Sequence, residues 1–487
     1  SRDIGEGVIV EIVGMESKSH TVYARVKPTG SASSSKATIG NVVEVMVDEG
    51  WKDVAKDILE KHIHIQPDTY PPANELLKLG AVWILNETAY AKGENTHAHR
   101  LKEEEASDIP DWENMTLRVH YVPDRFHAAH EVDWSKHCRG LLVGGSVKVD
   151  VGGEVPHVPV TGLPDYNDGV IVYEDSKLGY AVLNKPGAMP VRATMSNHAE
   201  DVVTCFSEAL KNRLPEVDQK VYVTLSQRIE TEMHGLILVS TNKQFTNYMS
   251  KLEHPNDDND NIIHKSYKCL VCIKDENDLD RLEKFQQSGS IITHYMDQKS
   301  PSPKKFVRHK PKIAGRSEWV QCQMRIAKVG DESFRAACVS SSMYGQYNTV
   351  DSNLAHRLWG VGSQTPADDL GVKYVMEIEV QMLTERTHQL QGQLAALGVP
   401  IVGDSIHGGG TCEHYVERHG WRRVGMQCCE LSFLEPKWEE AEVDGKKTKS
   451  LVKSDKKCFC RLNNAWWTED LVKYEFYQQR EWEKTQN

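Results

Sequence analysis

The stretch LSQRIETEMHGLILVS, residues 225–240, places Arg228, Glu230 and Glu232 on one short polar loop that runs straight into an apolar segment. A carboxylate at such a junction can act as a nucleophile or general base. It must then stay ionised in a partly dry setting, which calls for a cation beside it. Glu230 and Glu232 also admit a second reading, as the paired carboxylates of a hydrolase. The loop alone leaves both open.

A second chemically dense stretch is LTERTHQLQGQLAALGVPIVGDSIHGG, residues 383–409. A strand ending at Leu383 is expected to pass into a helix, with Thr384 and Thr387 as natural caps. Leu390, Leu394 and Leu397 fall on one face, and Gly398 is a stop. Arg386 and His388 lie at the helix entrance, where backbone N–H groups already favour an anion. A capped helix with two surface polar residues is the plainer reading. Asp404, in the following turn, reads as structural, because turn Asp commonly bonds its own backbone.

The remaining features bound the problem. A chain of 487 residues predicts two or three domains, and 39% hydrophobic with 26% charged residues is the composition of a globular protein. Without an apolar run of 18 residues, no membrane span is expected. The chain begins at Ser1 rather than Met, which points to a partial or processed N-terminus, so a targeting peptide would not be visible. Eleven cysteines, an odd number in a long chain, suggest a reducing compartment rather than a disulfide framework. Cys269 and Cys272 lie in an apolar, strand-like run, and no second CxxC supplies zinc ligands, so structural cysteines are expected and no metal. The net charge of −12 excludes a uniformly basic nucleic-acid binder. Residues 299–316, KSPSPKKFVRHKPKIAGR, nevertheless carry seven Lys or Arg and no acid. That run, with Lys304, Lys305 and Arg308, is a solvated loop or the place where a phosphate backbone is met.

The elements that would position these groups are read from periodicity. Residues 1–50 read as a β-rich extension, with VIVEIVGM and TVYARVKP alternating and GSASSSKATIG as a loop. WKDVAKDILEKHI has helical spacing, ELLKLGAVWILN a helix, a Gly stop and a strand, and MTLRVHYVPDRF a further strand. Residues 51–135 are therefore expected to form a small α+β unit. Residues 165–436 hold strands at GVIVYED, YAVLNKP, GLILVS, KSYKCLVCI, KYVMEIEV and LSF, with an insertion near 329–371. Residues 437–487, Lys-rich and then Trp-rich, read as a C-terminal appendage.

Four segments in order resemble the RluA-type RNA pseudouridine synthases. RTHQLQGQLAALGVPIVGD is similar to their RTHQIR-x-HL-x-x-x-G-x-PI-x-GD signature, and QRIETEMHG to their active-site loop HRLD-x-x-TSG. KSYKCLV resembles K-x-Y-x-A-L-V, and LNKPGAMPV resembles K-P-x-G-x-x-V. SIITHYM at 290–296 and the upstream strands are closer to the plant organellar branch. The upstream part is also similar to a small ribosomal-protein RNA-binding domain, in degenerate form.

The resemblance implies an α+β fold: a mixed, mainly antiparallel sheet with flanking helices and a central RNA-binding cleft, plus the small N-terminal domain. It implies an isomerase that breaks the N1–C1′ bond of a uridine in RNA, turns the base and rejoins it through C5, with no cofactor. By resemblance Glu230 stands at the catalytic carboxylate, Arg228 helps displace the flipped base, Tyr267 stacks on it, and Arg386 is the candidate ionic partner of the carboxylate. Lys265 becomes a structural or phosphate-facing residue, His388 an orienting hydrogen-bond group, and Glu232 a solvated one. RNA is the implied partner, in ribosomal, transfer or organellar form, with a monomeric protein in a chloroplast or mitochondrion.

The chain departs from the pattern at the site itself. Glu230 replaces Asp, Gln227 replaces His, Met233-His234 replaces Thr-Ser, Glu385 replaces Gly, and Gln391 replaces the second Arg. One added methylene moves a carboxylate by more than ~1 Å, against a tolerance of roughly 0.5 Å. Two outcomes are implied: a pocket rebuilt around a longer nucleophile, or a catalytically impaired RNA-binding or ribosome-assembly protein on the same scaffold.

Overall fold

The structure is a computed structural model. It describes residues 2–3, 8–16, 19–28, 38–61, 71–86, 98–101, 115–137, 147–149, 169–213, 221–225, 229–253, 263–312, 318–330, 335–337, 372, 374–410, 424–443, 446–462 and 464–468. The chain divides into two compact units, residues 1–129 with 192–205, and residues 130–191 with 206–487.

The first unit is built on a six-stranded antiparallel sheet in the order β1-β2-β3-β6-β4-β5. Its strands are β1 (Arg2–Asp3), β2 (Val8–Glu16), β3 (Thr21–Pro28), β4 (Val82–Asn86), β5 (His99–Arg100) and β6 (Met115–His120). Alternation sends Val8 and Val10, Val22, Ala24 and Val26, and Leu117 and Val119 to one face. Helices α1 (Ile39–Lys61) and α2 (Ala73–Leu79) cover it with Val42, Val43, Met46, Leu76 and Leu77.

Two expected boundaries therefore move. Residue 50 lies inside α1, and β2 and β3 join β6 in one sheet, so residues 1–50 are part of this unit rather than an extension of it. The run VVEVMV is β-branched enough to read as strand, but its buried positions follow a helix face. Residues 192–205 also belong here. The buried Glu200 carboxylate takes the Arg125 guanidinium at 3.0 Å and the Phe126 N–H at 2.9 Å, which ties the segment in.

The second unit carries a twelve-stranded mixed sheet. Its strands are β7 (Val147–Val149), β8 (Ile171–Asp175), β9 (Tyr180–Lys185), β10 (His234–Ser240), β11 (His264–Ile273), β12 (Ile292–Asp297), β13 (Phe306–Val307), β14 (Trp319–Val329), β15 (Arg335–Ala337), β16 (Tyr374–Met382), β17 (Met426–Val443) and β18 (Lys446–Arg461). The main path runs β13-β12-β14-β16-β11-β17-β10-β9-β8. Only the β10–β17 pairing is parallel among the described strands, so the sheet is mainly antiparallel, as expected.

Helices α3 (Lys243–Glu253), α4 (Glu276–Ser288) and α5 (Gln389–Ala396) bury Phe245, Met249 and Leu252, Leu279 and Leu282, and Leu390 and Leu394 in this unit's core. KCLVCI is a central strand covered on both faces, which explains its unbroken apolar run; Cys269 and Cys272 are wholly buried in it. The expected end at Pro436 is not an end. β17 passes through it with a register irregularity between Leu434 and Pro436 and continues as a hairpin with β18. The start of the C-terminal appendage is thus sheet. Most of the expected insertion near 329–371 lies outside the described residues.

Candidate active site

Glu230 sits on the turn before β10, and its carboxylate reaches the start of α5, 158 residues on. Oε1 accepts the backbone N–H of His388 at 3.3 Å and lies 3.2 Å from Nδ1 of the same residue. Oε2 accepts the side-chain amide of Gln391. The carboxylate therefore caps a helix N-terminus, where the dipole favours negative charge. Its side chain keeps 24% of its accessible surface. Burial raises its pKa, with His388 and Gln391 opposing and Glu232 adding to the rise.

The helix entrance differs in detail from its sequence reading. The N-cap is His388, in the left-handed region at φ 56°, and its side chain does not cap the helix. Thr384 Oγ1 accepts the Gln323 N–H at 2.8 Å and donates to Gln389 at 3.1 Å, pinning the turn to β14. Leu390, Leu394 and Leu397 are buried as one face, and Gly398 adopts φ 89°, both as expected.

Lys185, at the end of β9, is a residue that the sequence reading missed. It is the most completely buried lysine described, and its ammonium donates to the carbonyls of Pro186, Thr231 and Met233 at 3.0, 2.9 and 2.7 Å. Two of these bonds, to Thr231 and Met233, fix the turn that carries Glu230. Burial pushes Lys185 down to about 7, with Glu232 and Glu230 opposing. Its one sign in the sequence is the Lys-Pro pair of LNKPG. His234 supports the same region, its Nδ1 accepting the Gly187 N–H at 3.1 Å.

Beside this group stands a second one on β11. Lys265 Nζ meets Glu385 Oε2 at 2.6 Å, and the Tyr267 hydroxyl donates to Glu385 Oε1 at 3.0 Å. Lys265 and Tyr267 are buried, while Glu385 keeps 42% of its exposure. Burial, and then Glu385, raises the Tyr267 pKa well above its ordinary value. The substituted Glu385 thus neutralises Lys265, an arrangement that suits the structural one of its two expected roles better than the phosphate-facing one.

One further expectation changes. Arg386 is exposed, and among the described residues no ion pair joins it to Glu230, so it is not the carboxylate's ionic partner. The neutral Gln391 amide meets the carboxylate instead, as a hydrogen-bond donor and not as an ion. Arg228 lies outside the described residues, so its role as a base-displacing side chain stays an expectation.

The basic run is anchored close to α5. A Cβ at Gly392 would fall 2.0 Å from a ring carbon of Phe306, so the missing side chain lets β13 lie against the helix. Lys304 turns inward and donates to Gln298 O at 2.7 Å and to Ser300 O, closing its own loop rather than facing a partner. Lys305, Arg308, Lys310 and Lys312 are exposed. Arg316 lies outside the described residues.

No family model matches the chain. It is 25% identical over 291 residues to RNA pseudouridine synthase 6, chloroplastic, of Oryza sativa subsp. japonica, covering 60% of this chain and 44% of that protein. It is 21% identical over 350 residues to the protein of the same name in Arabidopsis thaliana, covering 65% of this chain and 56% of that one. The chain thus spans about half the length of these curated relatives. Among solved structures, human RNA pseudouridylate synthase domain containing 4 aligns over 58% of this chain and 88% of its own, at 12% identity and a TM-score of 0.32.

Proposed function

We propose that this chain is an RNA pseudouridine synthase that uses Glu230 as its reacting carboxylate. The observation that carries the reading is the convergence of Glu230 with His388 and Gln391. Two of the four resembling segments, distant in sequence, meet at one half-buried carboxylate. A third, LNKPG, holds the turn beneath it through Lys185. The similarity to two plant proteins named RNA pseudouridine synthase 6 supports the same activity.

In this mechanism the Glu230 carboxylate acts at the sugar or the base while the N1–C1′ bond breaks. The base turns, C5 bonds to C1′, and the C5 proton leaves as N1 takes one up. Tyr267 packs beside the base, Arg228 fills the gap left in the stack, and RNA lies along Lys305 and Arg308. The substrate is ribosomal, transfer or organellar RNA, acted on by a monomer in an organelle; both plant relatives are named chloroplastic. No helix of the described residues is long and apolar enough to cross a membrane.

A second reading has its own observation. Glu385 places a negative charge on Lys265, where an RNA phosphate would prefer none. This departure from the resembled active site weighs against turnover there, which leaves a catalytically impaired RNA-binding or ribosome-assembly protein, holding RNA elsewhere on its surface, as the second reading. Pseudouridine mapping across total RNA, with and without the protein and with Glu230→Gln, separates the two. Sites lost both in the protein's absence and in the variant support the synthase. An unchanged map with RNA still bound supports the binding protein.

A further inference from the structure

The first unit's sheet has a second face, opposite α1 and α2. Val22, Val82, Leu117 and Val119 point to the helices, so their neighbours Tyr23, Trp83 and Arg118 point the other way. Register sets Tyr23 beside Arg118, Arg118 beside Trp83, and Trp83 beside Arg100. These residues stand on the adjacent strands β3, β6, β4 and β5, so aromatic and guanidinium groups alternate across the sheet. The Cζ atoms of Arg100 and Arg118 lie 4.5 and 4.8 Å from the centre of the Trp83 ring. The row is pinned at that end: Trp83 Nε1 donates to Met195 O at 2.9 Å, and Arg100 Nη2 donates to Thr194 O at 2.6 Å.

We propose that this row is a second RNA-binding site, in which Arg100 and Arg118 seat backbone phosphates of one RNA strand. Neither cation is neutralised within the described residues. No carboxylate there forms an ion pair with either, and Nη1 of Arg100 and Nε and Nη2 of Arg118 have no hydrogen-bond partner among them. The two charges also oppose each other. Burial, and then Arg118, lower the Arg100 pKa, with Asp201 opposing from a buried position where it already accepts from Thr204. Arg25, exposed and two residues along β3 from Tyr23, extends the positive strip by roughly 7 Å. Glu11, opposite Arg25 in register, is engaged by Lys27 at 2.5 Å, and Glu16 accepts the Tyr23 hydroxyl at 3.2 Å.

The chain as a whole carries a net charge of −12, so a strip of uncompensated guanidinium groups is out of keeping with it and complements an external polyanion. Stacking prepares those groups for phosphate. A ring beside each guanidinium fixes its plane and leaves the accessible edge, with its fork of N–H donors, for two oxygens of one phosphate. Arg118 and Arg100 stand two strands apart, roughly 9.5 Å by strand spacing, with the indole between them. Two edges so separated suit successive phosphates of a polymer better than one small ion. Alternating Arg and aromatic side chains on a positive surface are also what single-stranded nucleic acid uses. The basic run 299–316 belongs to the other unit, so the two are separate contacts. That the polyanion is RNA rests on the proposed function; the uncompensated row does not.

Binding of a fluorescent oligouridylate to the full chain over a range of salt tests the site. Arg100→Gln with Arg118→Gln keeps a stem and an amide beside Trp83 and removes both charges. This pair is expected to weaken binding by about tenfold near physiological salt, and to lower the slope of log K against log salt by about 0.7 for each of two contacts. Its effect should add to that of Lys305→Ala with Arg308→Ala, as for independent contacts. An unchanged slope in the folded Gln pair overturns the proposal and leaves the row as a structural ladder. If the Gln pair does not fold, photo-crosslinking of the same RNA to the wild type decides. Attachment within β3, β4, β5 or β6 supports the site, and attachment confined to the second unit overturns it. A wild type that binds no oligouridylate overturns it as well. Pseudouridine formed with the slope unmoved overturns only this site, and a lowered slope in a chain that forms no pseudouridine overturns only the synthase reading.

Discussion

The buried Lys265 ammonium and the half-exposed Glu385 carboxylate meet at 2.6 Å, on the strand and turn that also carry Tyr267 and His388. Glu385 therefore has two opposing effects. It stabilises a lysine that would otherwise be buried without a counter-charge, and it cancels positive potential where RNA is proposed to lie. Glu385→Ala is expected to cost about 2 kcal/mol of stability, discounted from the full buried-pair value because Glu385 is partly solvated. The same change should tighten RNA binding, most visibly at low salt. Urea denaturation and a binding isotherm check the two halves. Equal or weaker RNA binding would show that this ion pair lies away from the RNA path.

How much of this was readable in the sequence depends on the kind of feature. The central strands were legible because the KCLVCI run of β11 is buried on both faces and β16 alternates Met376, Ile378 and Val380 with polar residues, and α5 because Leu390, Leu394 and Leu397 repeat at helical spacing. Glu230 and His388 could be nominated from their segments. Their contact could not, since it depends on a 158-residue closure that no local pattern encodes. Lys185 was hidden for another reason. A lysine reads as surface unless its three carbonyl partners are seen, and two of them, on Thr231 and Met233, come from another segment. Arg386 was the opposite error, a cation of the right type on the exposed side of its turn. Strand β18 was obscured by its lysines, which suit an exposed face but signal a loop by composition.

Lys185 predicts a pH dependence of stability. Burial holds its folded value at about 7, below that of a lysine in the unfolded chain. Between about 7 and the ordinary lysine range near 10.4, the unfolded chain binds a proton that the folded chain lacks. Stability from this group therefore rises with pH across that window, by up to about 1.4 kcal/mol per unit, and is flat below it. Urea midpoints measured from pH 6 to pH 9.5 for wild type and Lys185→Met should differ in slope, the variant lacking the rise. Parallel profiles would mean that the three carbonyls keep the ammonium charged throughout.

The exposed members of the basic run predict a salt effect. Lys305→Ala with Arg308→Ala should weaken binding to every RNA sequence alike and reduce the slope of log K against log salt. The reduction is about 0.7 per lost contact on single strands and 0.9 on duplex. Lys304→Ala should leave the slope nearly unchanged, because Lys304 is spent on Gln298 and Ser300 carbonyls. Gly392→Ala should act like the double variant, since its methyl group displaces Phe306 and the strand behind it. A slope that responds to Lys304 and not to Lys305 and Arg308 would reverse this assignment.

Glu230→Asp distinguishes a rebuilt pocket from a decayed one. The longer side chain here reaches two fixed donors, the His388 N–H at 3.3 Å and the Gln391 amide, and those donors are set by a helix packed into the core. Shortening it by one methylene withdraws the carboxylate by more than ~1 Å, beyond the roughly 0.5 Å that a reacting group tolerates. In a pocket rebuilt for Glu, Asp should lower product formation by about tenfold or more, equivalent to at least about 1.4 kcal/mol in the barrier. Glu230→Gln should abolish it while RNA affinity stays nearly constant, since the shape and one acceptor survive. The wild type should also lose activity on acidification sooner than an ordinary glutamate would allow, because burial raises the Glu230 pKa and only the ionised form can act. Single-turnover assays from pH 5 to pH 8 measure all three. An Asp variant more active than the wild type would mean that the helix start still fits the shorter acid, and that Glu230 marks lost rather than altered catalysis.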